Sequence, residues 1–244
     1  MSKAMRAHRP ILGFDLSTPR AVAAVSLPDG AVRALVNDEM TEHLAWLMPA
    51  VHLLLSEAGL RPADLGAIAV GCGPGSFTGV RTAVVTAKAM AHVLGTDLVA
   101  PSSLDLVAGS ITTEGDAVCA CLDARRHELY YAFYVIEQGE PRLQGERRVG
   151  PPARLIEDCR AFRDSSHCRI NLAGNGLEAY GELLENELVE TATLTPVLYP
   201  GGEELMRAAE RMLERGETVA ALSLAPLYLR LPDSGLLTGG GCTT

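Results

Sequence analysis

After ten residues the chain alternates short apolar runs with turn residues. Ile11 to Leu16, Ala21 to Leu27 and Ala31 to Val36 read as three strands, the last two joined by Pro28-Asp29-Gly30, a hairpin signal. A longer rhythm follows. Leu44, Leu47, Met48, Val51, Leu54, Leu55 and Ala58 keep helical spacing, with Thr41 as the predicted cap and Gly59 as the stop. Pro49 lies inside that helix, where a lost backbone hydrogen bond costs ~3 kcal/mol, so a kink near Ala45 or a helix in two pieces is expected. Ala67 to Val70 then predicts a buried strand, Gly71 to Gly79 a glycine-rich loop, Val80 to Leu94 a second helix ended by Gly95, and Leu98 to Ala100 a short strand.

The same order then recurs. After a helical stretch from Ser102 to Ile111, three strands are predicted at Ala117 to Leu122, Glu128 to Glu137 and Arg142 to Val149. Helices at Pro152 to Phe162 and Leu177 to Glu187 flank a strand at Ile170 to Ala173. Three strands followed by helix, strand, helix in each half is the pattern of a duplicated α/β unit with mixed sheets. The two halves share no alignable sequence, so the expectation rests on element order. A boundary is expected near residues 101–116. It gives a first domain over 1–108, a second over 109–231 and a disordered tail over 232–244, where Gly239-Gly240-Gly241 stands. An amphipathic helix from Glu203 to Arg215 closes the second part.

Composition narrows the functional classes. Of 244 residues, 48% are apolar and 21% charged, which is a globular balance with a sizeable core. The formal net charge of −9 argues against a stand-alone nucleic-acid or anionic-membrane binder, because phosphate affinity comes mostly from Lys and Arg. Six cysteines sit in no C-x-x-C pair and read as reduced thiols. The longest apolar runs fall short of the ~20 residues of a membrane span, and no signal-peptide core follows the N-terminal basic residues, so a cytoplasmic protein is expected.

Gly73-Pro74-Gly75-Ser76-Phe77-Thr78-Gly79-Val80-Arg81, between a strand and a helix start, is the sharpest local signal. Glycines there allow close backbone approach, and a helix N-terminus attracts anions. The string lacks the Gly-Lys-Ser/Thr of a Walker loop and the last glycine of the dinucleotide fingerprint. Two readings stand: a tight turn with Ser76 or Thr78 as cap, or an anion site made of Gly73, Gly75, Ser76 and Thr78 with Asp15, Ser17 and Thr18 of the first hairpin tip. Asp123-Ala124-Arg125 reads as a surface ion pair. No two histidines stand three, four or five apart, so no shared helix face for a metal is predicted, and no G-x-S-x-G elbow or other catalytic constellation is found.

The two first-half helices are unusual. Between Leu44 and Leu55 only His52 is polar, and Val80 to Leu94 holds only Arg81, Thr82, Thr86, Lys88 and His92. A helix apolar nearly all round is buried on both sides, which points to a second protein chain as cover or to later parts of this one.

Four segments carry a family resemblance: Ile11 to Thr18, Gly71 to Arg81, Leu122 to Tyr130 and Pro226-Leu227-Tyr228-Leu229-Arg230. In order and spacing, over about residues 10–231, they resemble the TsaB (YeaZ) family. That resemblance implies an actin-like ATPase (ribonuclease H-like) fold of two related α/β domains, the second reduced. It also implies a role in N6-threonylcarbamoyladenosine formation on tRNAs reading codons that begin with A. The implied role is that of a non-catalytic partner of the transferase TsaD, in a system that includes the ATPase TsaE. The stretch from Ala89 to Asp105 holds only His92 where a TsaD-like subunit carries a His-x-x-x-His metal pair, and Gly174-Asn175-Gly176 stands where its metal-binding aspartate motif would be. No metal, no bound cofactor and no catalysis by the chain alone are therefore expected, with ATP or ADP a candidate ligand of the complex and tRNA reached only through it; the alternative reading is a metal- or nucleotide-dependent enzyme of the same fold, glycoprotease or kinase-like, against which the missing His pair counts. The resemblance further implies pairing through the first two helices, with TsaD or a second copy. Trp46, Leu47, Val51, Leu54, Val80, Arg81, Val84 and Met90 are the expected contributors to that interface or its supporting core.

Overall fold

The computed structural model describes residues 9–38, 43–196 and 199–230. Two five-stranded sheets of the same topology form its frame. Strands β1 (Ile11–Asp15), β2 (Ala21–Ser26), β3 (Val32–Asn37), β4 (Ala67–Val70) and β5 (Asp97–Val99) are ordered β3-β2-β1-β4-β5. Strands β6 (Ala117–Asp123), β7 (Leu129–Glu137), β8 (Glu140–Gly150), β9 (Ile170–Ala173) and β10 (Ala192–Leu194) repeat that order as β10-β9-β6-β7-β8. In each sheet three antiparallel strands are followed by two parallel ones. This is the duplicated mixed-sheet architecture of the actin-like ATPase fold. The duplication, invisible as sequence similarity, is explicit in strand order. Strand β10 had no counterpart in the hydropathy pattern, for its three residues carry too little periodicity to register.

Burial explains the continuous apolar runs. Strands β1, β2 and β4 are buried at every residue because helices cover both faces. Helices α1 (His43–Glu57) and α2 (Phe77–Leu94) cover one face, packing Leu47, Val51, Val80 and Val84 on Leu12, Phe14 and Ile68. Against the other lie α3 (Ser103–Ala108) and α6 (Gly202–Arg215), through Leu106, Leu205, Met206 and Ala209. Helix α3 also turns Leu104, Val107 and Ala108 to the second sheet, whose far face is covered by α4 (Pro152–Ser166) and α5 (Gly176–Glu187). The chain thus crosses back after its second sheet to complete the core of the first.

Two expectations are corrected or displaced. Helix α1 runs unbroken through Pro49 instead of in two pieces. Both Pro49 and Ala45, whose carbonyl loses its donor, are exposed, so water can substitute for the missing N–H. The predicted Thr41 cap, the tail over 232–244 and Cys242 lie outside the described residues. Among the described residues no helix is long and apolar enough to cross a membrane.

Candidate functional site

The glycine-rich loop and the first hairpin tip do come together, and their contact is tight. Ser76 N–H donates to the carbonyl of Ser17 at 2.7 Å. A Cβ on Gly75 would stand 2.2 Å from that carbonyl oxygen, and one on Gly79 only 1.9 Å from that of Leu16. Both glycines therefore serve backbone-to-backbone packing of the α2 start on the end of β1. The capping reading is the one observed, since Ser76 Oγ accepts from Gly79 N–H at 3.3 Å. Thr78 is exposed on the same turn.

Asp15 ends β1 and is buried beneath Gly71, whose Cβ, if present, would overlap its carboxylate. Burial raises its pKa, against hydrogen bonds from Ser103 and Ser17 that lower it. Both oxygens are engaged: Oδ1 accepts Ser17 N–H at 2.6 Å and Oδ2 accepts Ser103 Oγ–H at 2.6 Å. The carboxylate is thereby committed to joining β1 to α3. Ser103, which also donates its N–H to Gly73 O at 2.9 Å, was not singled out by spacing, because its partner is 88 positions away. The Ser17 side chain is buried beside the Asp15 carboxylate, and Thr18 Oγ1 donates to Arg20 O at 2.7 Å.

The second half builds the matching corner. Gly174 packs against the carbonyl of Cys121 as Gly79 does on Leu16, and Asn175 Oδ1 accepts Asp123 N–H at 3.2 Å. Arg125 pairs with Asp123 at 3.2 Å, the surface pair expected. Between the corners runs the segment after α6. Lys88 Nζ donates to the carbonyl of Leu224 at 2.8 Å, Leu227 N–H donates to Cys72 O at 2.8 Å, and Tyr228 packs on Phe77 with centroids 5.5 Å apart. Arg230 then crosses to the second half, donating to Ala124 O at 3.3 Å and pairing with Glu128.

Chemistry at these corners is limited by burial. Desolvation pushes the Cys72 thiol up to about 12 and raises those of Cys119 and Cys121 well above the ordinary thiol value, so all three are protonated at neutral pH. Among the described residues no group of three His, Cys, Asp or Glu side chains could hold a metal. A cavity of about 910 Å³ opens at the other end of the first sheet, beside Ile11, Gly66 and Asp97, and one of about 400 Å³ lies between the halves, beside Cys72, Asp105 and Arg147. Neither is lined by Asp15, Ser17, Thr18, Gly73, Gly75, Ser76 or Thr78.

Of the residues expected at a partner interface, Leu47, Val51, Leu54, Val80 and Val84 are buried in the first core and present no surface. Trp46 and Met90 are half-buried against that core, and Arg81 is exposed. The opposite faces of the same helices carry Met48, Leu53, Val85 and Val93, which are 51%, 44%, 60% and 81% exposed. The five buried residues thus stand in the supporting core, one of the two places expected for them, and an all-apolar helix gives no sequence signal of which of its faces the sheet claims.

The family model described as "TsaD: tRNA N6-adenosine threonylcarbamoyltransferase" matches residues 38–234. An uncharacterized protein of Mycobacterium tuberculosis is 32% identical over 226 residues, covering 92% of this chain and 93% of that one. The chain spans 56% of the length of a related uncharacterized protein of Mycobacterium leprae. The Escherichia coli tRNA threonylcarbamoyladenosine biosynthesis protein TsaB is 29% identical over 223 residues, covering 90% of this chain and 94% of its own. The structure of YeaZ from Pseudomonas aeruginosa superposes with a TM-score of 0.74 at 31% identity, over 91% of this chain and 100% of that one. A second Pseudomonas aeruginosa structure, described as similar to peptidase YEAZ, gives a TM-score of 0.78 at 34% identity over the same shares.

Proposed function

The chain belongs to the TsaB (YeaZ) family of tRNA threonylcarbamoyladenosine biosynthesis proteins, and from that premise we propose that it is a non-catalytic subunit that binds and supports a TsaD-type transferase. The observation that carries this reading is the uncovered apolar face of α1 and α2. Met48, Leu53, Val85 and Val93 stand on two neighbouring helices whose inner faces are fully used by the first core. Large exposed apolar side chains grouped in this way mark protein contacts, and helix pairs dock on helix pairs by burying such faces. The occupant in this reading is the transferase, with a second copy of this chain as the competitor for the same face. Support for a non-catalytic role comes from the commitment of Asp15 to Ser103 and from the protonated, buried thiols. ATP or ADP then belongs to the assembled complex with TsaE, and tRNA is presented to the catalytic subunit.

Reconstitution tests the reading. Transferase, TsaE, threonine, bicarbonate, ATP and tRNA are combined with and without this chain, and modified adenosine is measured. Product should vanish when the chain is omitted and should not form from the chain alone. Met48→Asp and Val85→Asp should abolish co-elution with the transferase while leaving the fold intact. Product without the chain, or product from the chain alone, overturns the proposal.

A further inference from the structure

The chain passes between its two halves twice, from α3 into β6 and from β10 back into α6, and both crossings are tied down. At the first, Arg207 of α6 donates to the carbonyl of Gly109, just past α3, at 3.3 Å. The second carries Tyr199. Its phenol donates to the carboxylate of Glu178 in α5 at 2.5 Å, and the Arg20 guanidinium of the first hairpin tip stands over its ring, 4.8 Å from the centroid. Arg20 is itself held by Asp38, with Nε on Oδ1 at 2.6 Å. Burial and the Glu178 carboxylate push the Tyr199 phenol up to about 12, so it stays a donor at neutral pH. Further along α6, Arg211 and Arg215 pair with Glu140 of β8 at 3.4 and 2.8 Å. Arg230 closes the series on Ala124 and Glu128.

We infer that the returning segment, Tyr199 to Arg230, locks the two halves into one body, and that Tyr199 is the clasp that holds the first corner to the second. Each cross-link just described has one partner on that segment. Its middle, α6, is fixed in the first core through Leu205, Met206 and Ala209, so every side chain it sends to the second half ties that half to the first. Tyr199 is suited to the clasp because its ring offers a face to a cation while its hydroxyl serves an anion, so one side chain joins Arg20 to Glu178. Rotation about the connecting segments is how two-lobed proteins open and shut around a ligand, and pinned crossings suppress it. The cleft between the corners therefore keeps one width whether or not the outer face of α1 and α2 is covered. The inference goes beyond the docking proposal and does not depend on it.

Amide hydrogen exchange of the full chain tests this, read at α3, which is packed between the two sheets, and at β1 and β4, which lie inside the first half. Tyr199→Phe keeps the ring beside Arg20 and removes only the donation to Glu178. It should speed exchange in α3 by about tenfold and leave β1 and β4 as in the wild type. Tyr199→Phe combined with Glu140→Gln, which also loosens Arg211 and Arg215, should speed it by about a hundredfold. Arg160→Gln is the control: its partner Glu187, at 2.9 Å, lies in the same half, and exchange in α3 should not change. Unchanged α3 exchange in the clasp variants overturns the inference, and so does an equal effect of Arg160→Gln. Equal acceleration in α3, β1 and β4 overturns it as well, because an ordinary loss of stability opens all three together. Where the double variant does not fold, Tyr199→Phe alone decides. No transferase enters the assay, so its failure is distinguishable from failure of the docking proposal, which Met48→Asp reads separately.

Discussion

Gly79→Ala measures how tightly the glycine loop is packed on the first strand. Gly79 is the third residue of α2, in helical conformation, so alanine there would by propensity alone gain up to ~1 kcal/mol. Its Cβ would stand 1.9 Å from Leu16 O and 3.0 Å from Leu16 C, so the helix start must retreat by more than an ångström. Both obstacles are backbone, and no rotamer change relieves them. The retreat strains packing by ~3 kcal/mol and stretches the Ser76–Ser17 hydrogen bond, worth ~1 kcal/mol. The net expected loss is ~3 kcal/mol, about 6–12 °C in Tm for a chain of this size. Urea unfolding followed by circular dichroism and by fluorescence of Trp46, the single tryptophan, provides the assay and checks for coincident transitions. Gly95→Ala is the control: its φ of +62° is unfavourable for alanine, but nothing lies within 4 Å, so it should lose only ~1 kcal/mol. A Gly79→Ala chain within ~0.5 kcal/mol of wild type would refute the packing account of the motif.

Further outcomes are expected. Val84→Asp should destabilise by ~4 kcal/mol or more through an unpaired buried charge, whereas Val85→Asp, one residue on and exposed, should change stability by less than ~0.5 kcal/mol; thermal melts of the pair separate inner from outer face. Asp15 has a folded-state pKa above its ordinary value because of burial, so its contribution to stability is complete below about pH 3.8 and is lost as pH rises through the folded value. Asp15→Asn should therefore gain stability relative to wild type as pH rises from about 4, a trend that urea midpoints across pH will show or exclude. Pro49→Ala, at an exposed site in the middle of an unbroken helix, should raise stability by ~1–3 kcal/mol, and an unchanged melt would mean that the helix already pays nothing for its proline.

How far the sequence carried can be seen in particular elements. The strand Ile170–Ala173 and the end of α2 at Gly95 were legible because apolar runs and a left-handed cap are local signals. The duplicated order of strands and helices was legible for the same reason, and the motifs from Gly71 to Arg81 and from Pro226 to Arg230 pointed to the family. Which side of α1 and α2 meets the sheet was not legible: Val84 and Val85 are equally apolar, and only the placement of β1 and β4 beneath the helix separates one that is 1% exposed from one that is 60% exposed. The same holds for contacts between distant positions. Ser103 on Asp15, α6 returning to cover β1 and Arg230 spanning to Glu128 join residues some 90 to 200 positions apart. Periodicity records what each residue does relative to its own helix or strand, and so the order of elements follows from sequence alone. Which faces meet, and which polar groups are buried together, is decided only when the two sheets pack around α3 and α6, because that choice minimises exposed apolar area over the whole chain rather than along any one segment.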